Sequence, residues 1–390
     1  MLRDAWTLAI ETLSWIELQR LGERLALNRA TKQLRIKDPK AIGLAHRLVS
    51  ETLRRKNHID FLVNSVLAPQ SLNDFKLGTR AFLRLYVYET KLTDGNLEKA
   101  AKIARMGRSI LGWWELKDAE EVLGEILSIN PESALKGLDE LEKVGLQTYH
   151  PTWFVKYCFR LLGRGEALRF LEKSAEIPPV YVRLNTLKAP EETVLKKIED
   201  EKTVLEKVQQ LKHTYRLVQS KKPLTRTRSF RQGLFYIQDK ASCLAAEIAD
   251  PSAGNTVLDV CAAPGAKTTY LAQLMENKGT IISVDYSKRR MGVWKRETER
   301  MGAKIVQPVV ADARKLLPLN VSADLVILDP PCTSTGTFGK TPDAKWRLTK
   351  RSILGMAKIQ AEMIEQCAEY VKKGGFLVYS TCSITVEENE

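Results

Sequence analysis

The sequence predicts an α/β protein in three parts: an all-helical domain over residues 1–145, a linker helix with a small α+β subdomain over 146–239, and a doubly wound, mostly parallel sheet over 240–390. Three observations carry this expectation. Apolar residues recur at intervals of three and four through the first 150 residues. After Ile177-Pro178-Pro179 the period changes, and Val180 to Asn185 alternates with β-branched and aromatic residues, the pattern of a strand. From residue 240 short apolar runs alternate with helical stretches, the order that winds a parallel sheet with helices on both faces.

In the helical part, Ala41, Ala45, Leu48, Val49 and Leu53 share one face and leave His46, Arg47 and Glu51 on the other. Leu77 to Tyr88 is rich in large apolar residues and is expected to be buried, and Thr93-Asp94-Gly95 marks the turn after it. Helix resumes over 151–175. A further helix is expected from Glu191 to Glu199. In the last part the expected strands are Thr256–Ala262, Thr280–Asp285, Ile305–Val310, Ala323–Asp329 and Phe376–Cys382, with helices over Thr268–Met275 and Arg289–Met301. Ile353, Met356, Ala357, Met363, Ile364, Cys367, Ala368 and Val371 follow helical spacing, and Gly374-Gly375 is expected to end that helix.

The formal net charge is +14, unevenly spread: residues 1–150 hold 23 Lys and Arg against 20 Asp and Glu, and residues 151–390 hold 38 against 27. A polyanionic partner fits that balance, because neutralised phosphates release counterions. From Lys207 to Gln238 there are eight basic residues and no acidic one, among them Lys221, Lys222, Arg226, Arg228 and Arg231. Tyr215, Phe230, Phe235 and Tyr236 in the same interval are candidates either for stacking on bases or for the subdomain core. Arg54, Arg55 and Lys56, with Lys32, Arg35, Lys37 and Lys40, form a second basic group that reads as phosphate contact or as solvated surface.

Six cysteines have neither zinc-ligand spacing nor the density of a disulfide scaffold, and His46, His58, His150 and His213 are scattered, so no metal site is expected. No uncharged apolar stretch is long enough to cross a bilayer, and the first helix, with Arg3, Asp4 and Glu11, is unlike a signal peptide. The expectation is a cytoplasmic, monomeric protein.

The first strand of the sheet runs into Cys261-Ala262-Ala263-Pro264-Gly265-Ala266-Lys267, where small residues let the main chain approach a ligand. This is neither the three-glycine dinucleotide fingerprint nor a P-loop. Asp285 ends the second strand, 20 residues after Gly265, as an acceptor for a ribose diol. Asp312 follows the third strand and reads as an acceptor for an adenine amine or as a helix N-cap. A ligand with ribose and adenine but no phosphate follows, and S-adenosylmethionine meets that description. Cys261 and Cys367 read as packing. The fourth and fifth strands lead into Asp329-Pro330-Pro331-Cys332 and Thr381-Cys382-Ser383. Neighbouring strands bring Cys332 and Cys382 to one sheet edge although 50 residues separate them.

These residues, with His150-Pro151, Arg183-Leu184-Asn185-Thr186, Gln238-Asp239-Lys240-Ala241-Ser242 and Trp346-Arg347, closely resemble the NOL1/NOP2/Sun family of RNA cytosine-5 methyltransferases, and residues 1–140 resemble its NusB-like helical domain. The resemblance implies a Rossmann-like S-adenosylmethionine-dependent sheet acting on ribosomal RNA of the 16S type or on transfer RNA. It implies that Cys382 attacks carbon 6 of cytosine while Cys332 assists loss of the carbon 5 proton. Asp329 and Lys267 would contact the cytosine, and Arg290 and the Gln238-Asp239 pair would line the pocket. Arg183 and Asn185 would bind RNA or brace the site. Lys267 is also a candidate to lower the Cys382 pKa. Thr333-Ser334-Thr335-Gly336 stands where many relatives have Ser-Gly, which implies a differently shaped substrate loop. The sequence ends eight residues after Cys382, where relatives continue with a helix and a strand pair, so the expectation is either a chain cut short or an enzyme that lacks part of its substrate wall. Two other classes stay open: a DNA cytosine methyltransferase, whose nucleophile would be Cys332, and an RNA-binding assembly factor with a vestigial pocket.

Overall fold

A computed structural model describes all 390 residues, and they divide into two compact units. The first comprises Met1–Ile177 with Thr335–Leu348, the second Pro178–Ser334 with Thr349–Glu390. The expected boundaries lie at 145/146 and 239/240, whereas this division falls at 177/178 and returns 335–348 to the first unit. Helix Thr152–Ala175 belongs with the helical unit, broken where Gly163 takes φ +73. The α+β subdomain and the parallel sheet form one unit.

In the first unit, helix Pro39–Arg54 starts where the Asp38 side chain accepts the Lys40 N–H, with Pro39 supplying a preset φ. Helix Leu77–Lys91 is buried from Ala81 through Tyr88. Its Arg84 sits between Glu17 at 2.5 Å and Asp60 at 2.7 Å, so the one cation in that run is paired. The segment 335–348 joins this unit through Phe338, whose ring lies 5.2 Å from that of Phe154, and through Lys345. The Lys345 ammonium donates to the carbonyls of Arg54 at 2.9 Å and Tyr149 at 2.5 Å, and Trp346 donates to Leu53 O at 2.5 Å. Leu53 and Arg54 are the last two residues of helix Pro39–Arg54, so two of these three bonds meet carbonyls at a helix end. His150 is also interior, 2.8 Å from the Ser174 hydroxyl, and burial pushes its pKa well down.

In the second unit, β1 (Tyr181–Leu184), β2 (Thr203–Lys207), β3 (Thr214–Ser220) and β4 (Phe235–Ile237) form an antiparallel sheet in the order β2-β3-β1-β4. The strands β5 (Thr256–Val260), β6 (Thr280–Asp285), β7 (Val306–Val310), β8 (Ala323–Leu328) and β9 (Val371–Tyr379) pair in parallel in the order β7-β6-β5-β8-β9. Alternate residues face opposite cores, Val257, Ile281, Leu325 and Ile327 on one side and Leu258, Val284, Val326 and Leu328 on the other. The all-helical part and the doubly wound sheet expected from the sequence are therefore both present.

Gly374-Gly375 does not end a helix. Helix Lys350–Ala368 stops earlier, and the glycines lie inside β9, where the register to β8 shifts between Ala323 and Leu325. Gly374 has φ +80, and a Cβ on Gly375 would come within 2.7 Å of the Asp324 carbonyl, so glycine serves a bulge here. Strands β5, β8 and β9 end at Val260, Leu328 and Tyr379, short of the expected Ala262, Asp329 and Cys382. The chemistry-bearing residues therefore sit on loops just past the strands.

Candidate active site

The register of the parallel sheet sets the site. Val260 pairs with Leu328, and Leu328 pairs with Tyr379, so the loops after β5, β8 and β9 leave the sheet side by side. Past β5, Cys261 takes φ +63 and Gly265 φ +106 on either side of Ala262 and Ala263, which folds the chain tightly before helix Ala266–Leu274 begins. A Cβ on Gly265 would come 3.2 Å from the Trp294 ring. Burial pushes the Cys261 thiol up to about 12, which suits packing.

Asp285 is buried and pinned by main chain: its Oδ1 accepts the Ser287 N–H at 3.0 Å and its Oδ2 the Ala263 N–H at 3.3 Å. Arg290 Nη1 stands 3.3 Å from Oδ2, and Nη2 donates to the Ala263 carbonyl. Val310, two residues before Asp312, pairs with Asp285. Asp312 caps no helix; it accepts the Arg314 N–H at 3.1 Å and grips the Arg314 guanidinium at 2.6 Å, which pulls its pKa down to about 2. Lys267 Nζ lies 2.6 Å from Asp329 Oδ2. The two cations nearest the loop, Arg290 and Lys267, are thus each spent on a carboxylate. This donor set fits a ligand with a diol and an amine and no phosphate, and S-adenosylmethionine is such a ligand.

At the other half of the edge, Cys332 Sγ and Cys382 Sγ lie 2.9 Å apart as free thiols, Cys382 the more exposed. The Ser334 hydroxyl is 3.3 Å from Cys382 Sγ. The hydrogen bond from Cys332 lowers the Cys382 pKa to about 6, with Ser334 adding to it against the opposing effects of burial and of the Asp329 charge. The same contact, with burial, drives the Cys332 pKa upward. One thiol is ready to ionise and its partner retains its proton. Lys267, expected to lower the Cys382 pKa, instead neutralises Asp329, a charge that opposes the thiolate.

Arg183 and Asn185 do not face solvent, and their reading as RNA contacts is corrected. Arg183 is fully buried, donating to Gln238 at 2.9 Å, to Thr269 at 2.8 Å and to Gln273, with its guanidinium 4.5 Å from the Tyr270 ring centroid. Asn185 donates to the carbonyls of Gly233 at 2.7 Å and Met301 at 2.8 Å. Both tie the antiparallel sheet to the helices of the parallel one. Tyr215, Phe235 and Tyr236 are buried and Phe230 packs on the same core, so none offers a stacking face. Lys221, Lys222, Arg226, Arg228 and Arg231 are exposed, with Lys222 3.6 Å from Glu201.

Sequence reasoning missed Ser334, Gln360, Asp259 and Glu388. Asp259 is fully buried on the central strand, where burial pushes its carboxyl up to about 7 and the Thr268 hydroxyl opposes the rise. Glu388 is buried against both thiol-bearing loops.

The chain is similar to known proteins. Residues 246–390 match the family described as 16S rRNA methyltransferase RsmB/F, and residues 3–127 match the NusB family. The probable ribosomal RNA small subunit methyltransferase B of Bacillus subtilis is 30% identical over 395 residues, which is 98% of this chain and 86% of that one. The tRNA (cytosine(72)-C(5))-methyltransferase of Pyrococcus horikoshii is 40% identical over 167 residues, 43% of this chain and 42% of its own. The crystal structure of PH0851 superposes with a TM-score of 0.81 at 30% identity, covering 100% of this chain and 88% of that one.

Proposed function

This chain belongs to the NOL1/NOP2/Sun family of RNA cytosine-5 methyltransferases that carry a NusB-like helical domain, and from that premise we propose that it methylates ribosomal RNA through a covalent adduct on Cys382. It is an S-adenosylmethionine-dependent RNA (cytosine-5) methyltransferase. Carbon 5 of cytosine is a poor nucleophile until a group adds at carbon 6, and a thiolate can make that addition. The observation that carries the reading is the 2.9 Å approach of Cys332 to Cys382 past adjacent strand ends, with the Cys382 pKa lowered to about 6.

Asp285 and Asp312 would hold the nucleoside of S-adenosylmethionine, with the 261–267 loop against it. When bound, S-adenosylmethionine supplies an electrophilic methyl group. Cys382 forms the bond to carbon 6, and that bond removes the negative charge beside Cys332. The hydrogen bond to the Cys382 thiolate, with burial and that charge, is what raised the Cys332 pKa, so once the thiolate is consumed Cys332 becomes a stronger acid at the stage where a base is required. Its own proton passes to water; the resulting Cys332 thiolate takes the carbon 5 proton, the C5–H electrons form the C5–C6 double bond, and the bond from carbon 6 to sulfur breaks to return Cys382 as a thiolate. Asp329 and Lys267, paired at 2.6 Å at the head of the β8 loop, would receive the polar edge of the base. Lys221, Lys222, Arg226, Arg228 and Arg231 supply an exposed basic surface for the backbone.

The small-subunit relative favours ribosomal RNA, and the Pyrococcus relative makes transfer RNA the rival. Bisulfite sequencing of total RNA with and without the gene separates them. For the chemistry, Cys382→Ala and Cys332→Ala are incubated with RNA and methyl donor and run on denaturing gels. The expected result is no product from the first and an accumulated RNA adduct from the second. An adduct from Cys382→Ala would refute the assignment and promote Cys332.

A further inference from the structure

Glu388 is a carboxylate inside the protein that accepts from five neutral donor groups. Its Oε1 accepts the Thr333 N–H and the Gln360 side-chain N–H, each at 2.9 Å. Its Oε2 accepts the hydroxyls of Ser383 and Thr385, each at 2.6 Å, and that of Thr333. Thr333 follows Cys332 and Ser383 follows Cys382, and the two hydroxyls also meet at 3.2 Å. Gln360 extends the connection by donating to the Pro331 carbonyl at 2.8 Å, so residues on both sides of Cys332 are reached from this one carboxylate. Gln360 donates both of these bonds through its nitrogen, which fixes the amide orientation.

A buried carboxylate is costly unless its lone pairs are filled, and here five donors fill them. Those donors come from the two loops that carry the thiols and from the helix between them. We propose that Glu388 is a positioning residue for methyl transfer: by binding residues 331–333 and 383–385 to one carboxylate, it sets the approach of Cys332 to Cys382. The inference rests on the assignment of Cys382 as nucleophile. Glu388 touches neither thiol and takes no proton in the reaction; it acts through the loops. The hydrogen bonds also hold its own pKa down against burial, so it stays ionised while the thiols change state.

The test uses the full chain. Alkylation of Cys382 by iodoacetamide is followed by peptide mass spectrometry across pH, alongside kcat, KM for RNA and S-adenosylmethionine affinity. In Glu388→Ala the midpoint for alkylation should rise toward the ordinary thiol range of about 8.5. Its kcat should fall about 100-fold, the scale of a misplacement near 1 Å, with KM and methyl-donor affinity within about threefold. Glu388→Gln keeps an acceptor for the two N–H groups and donors for hydroxyls that can rotate, and should recover kcat to within about 10-fold of wild type. Thr333→Val removes a single arm and should shift the alkylation midpoint by less than Glu388→Ala does.

An unchanged alkylation profile in Glu388→Ala would overturn the proposal. So would a Gln variant as impaired as the Ala variant. If Glu388→Ala loses methyl-donor binding as well, Thr333→Val decides, and a folded Thr333→Val with the wild-type profile overturns it. Failure of the nucleophile assignment shows separately, as an RNA adduct in Cys382→Ala, because alkylation reads the thiol without any RNA chemistry.

Discussion

On the β6–β7 half of the sheet edge, carboxylates are held by main chain and arginine: Asp285 by the amides of Ala263 and Ser287 and by Arg290, Asp312 by the amide and guanidinium of Arg314. On the β8–β9 half, thiols are held by each other and by Ser334, and their loops by the Glu388 carboxylate. The first half needs acceptors whose charge never changes, and fixed dipoles and cations provide that; Asp312, pulled down to about 2, is ionised throughout the physiological range. The second half needs a group that gains and loses charge in each cycle. Hydroxyls rotate to follow such a change, whereas an adjacent ammonium would favour one state throughout. A thiol also attacks best when its pKa lies near ambient pH, because nucleophilicity falls with pKa. The pairing of Lys267 with Asp329 rather than with Cys382 fits that requirement.

If the halves are independent, damage to one leaves the readout of the other intact. The largest effect is expected from Asp285→Ala, which removes an acceptor for the ligand and unpins Ala263; calorimetric titration should show S-adenosylmethionine binding weakened about 100-fold, near the cost of losing one or two hydrogen bonds to a charged group. The pH midpoint of Cys382 alkylation should not move in this variant. A midpoint that follows the loss of ligand affinity would break the comparison. Next in size is Arg183→Met, which leaves Gln238, Gln273 and Thr269 without their buried donor. Urea denaturation should show about 2–3 kcal/mol less stability. The salt dependence of RNA binding should be unchanged, since a buried brace neutralises no phosphate; a shallower slope would return Arg183 to the RNA surface.

Much of the thiol pair was legible because parallel strands obey a strict geometry. Once β8 and β9 are recognised as neighbours, Cys332 and Cys382 must leave the same edge, and Asp285 is placed by the same rule at the end of β6. What the sequence concealed depends on partners far away along the chain. The resemblance leaves Arg183 either to bind RNA or to brace the site; Gln238, Thr269 and Gln273, all later in the chain, take its donors and make it a brace. Glu388 lies in Val386-Glu387-Glu388-Asn389-Glu390, where nothing in the order of residues marks one acid as interior, and donors from Thr333 and Gln360 make its burial possible. Segment 335–348 had no periodicity to show that it packs with the helical unit, since its attachment comes from Phe338, Lys345 and Trp346 singly. The extended reach of β9 was missed because Gly374-Gly375 carries two meanings, a helix stop or a bulge, and only the register to β8 separates them.

The smallest effect belongs to Asp259, on the central strand between the halves. Burial, followed by the charges of Asp329 and Asp285, raises its carboxyl from an ordinary value near 3.8 to about 7, against the Thr268 hydroxyl and the Lys267 charge. For an acid raised in the folded state, the favourable contribution is complete below about pH 4 and is lost as pH rises through about 7. Asn at this position keeps an acceptor for Thr268 and has no charge to bury. Asp259→Asn should therefore be roughly 1–2 kcal/mol more stable than wild type at pH 8, with no gain at pH 4, in urea denaturation at both values. A gain of equal size at both pH values would mean that packing, not ionisation, sets the cost. Asp259 is absent from the main influences on Cys382, so the alkylation midpoint should stay in place when Asp259 is replaced. A midpoint that moves with the pH-dependent stability would show the central strand carrying charge information from the carboxylate half to the thiol half, and the two could no longer be treated as separately held.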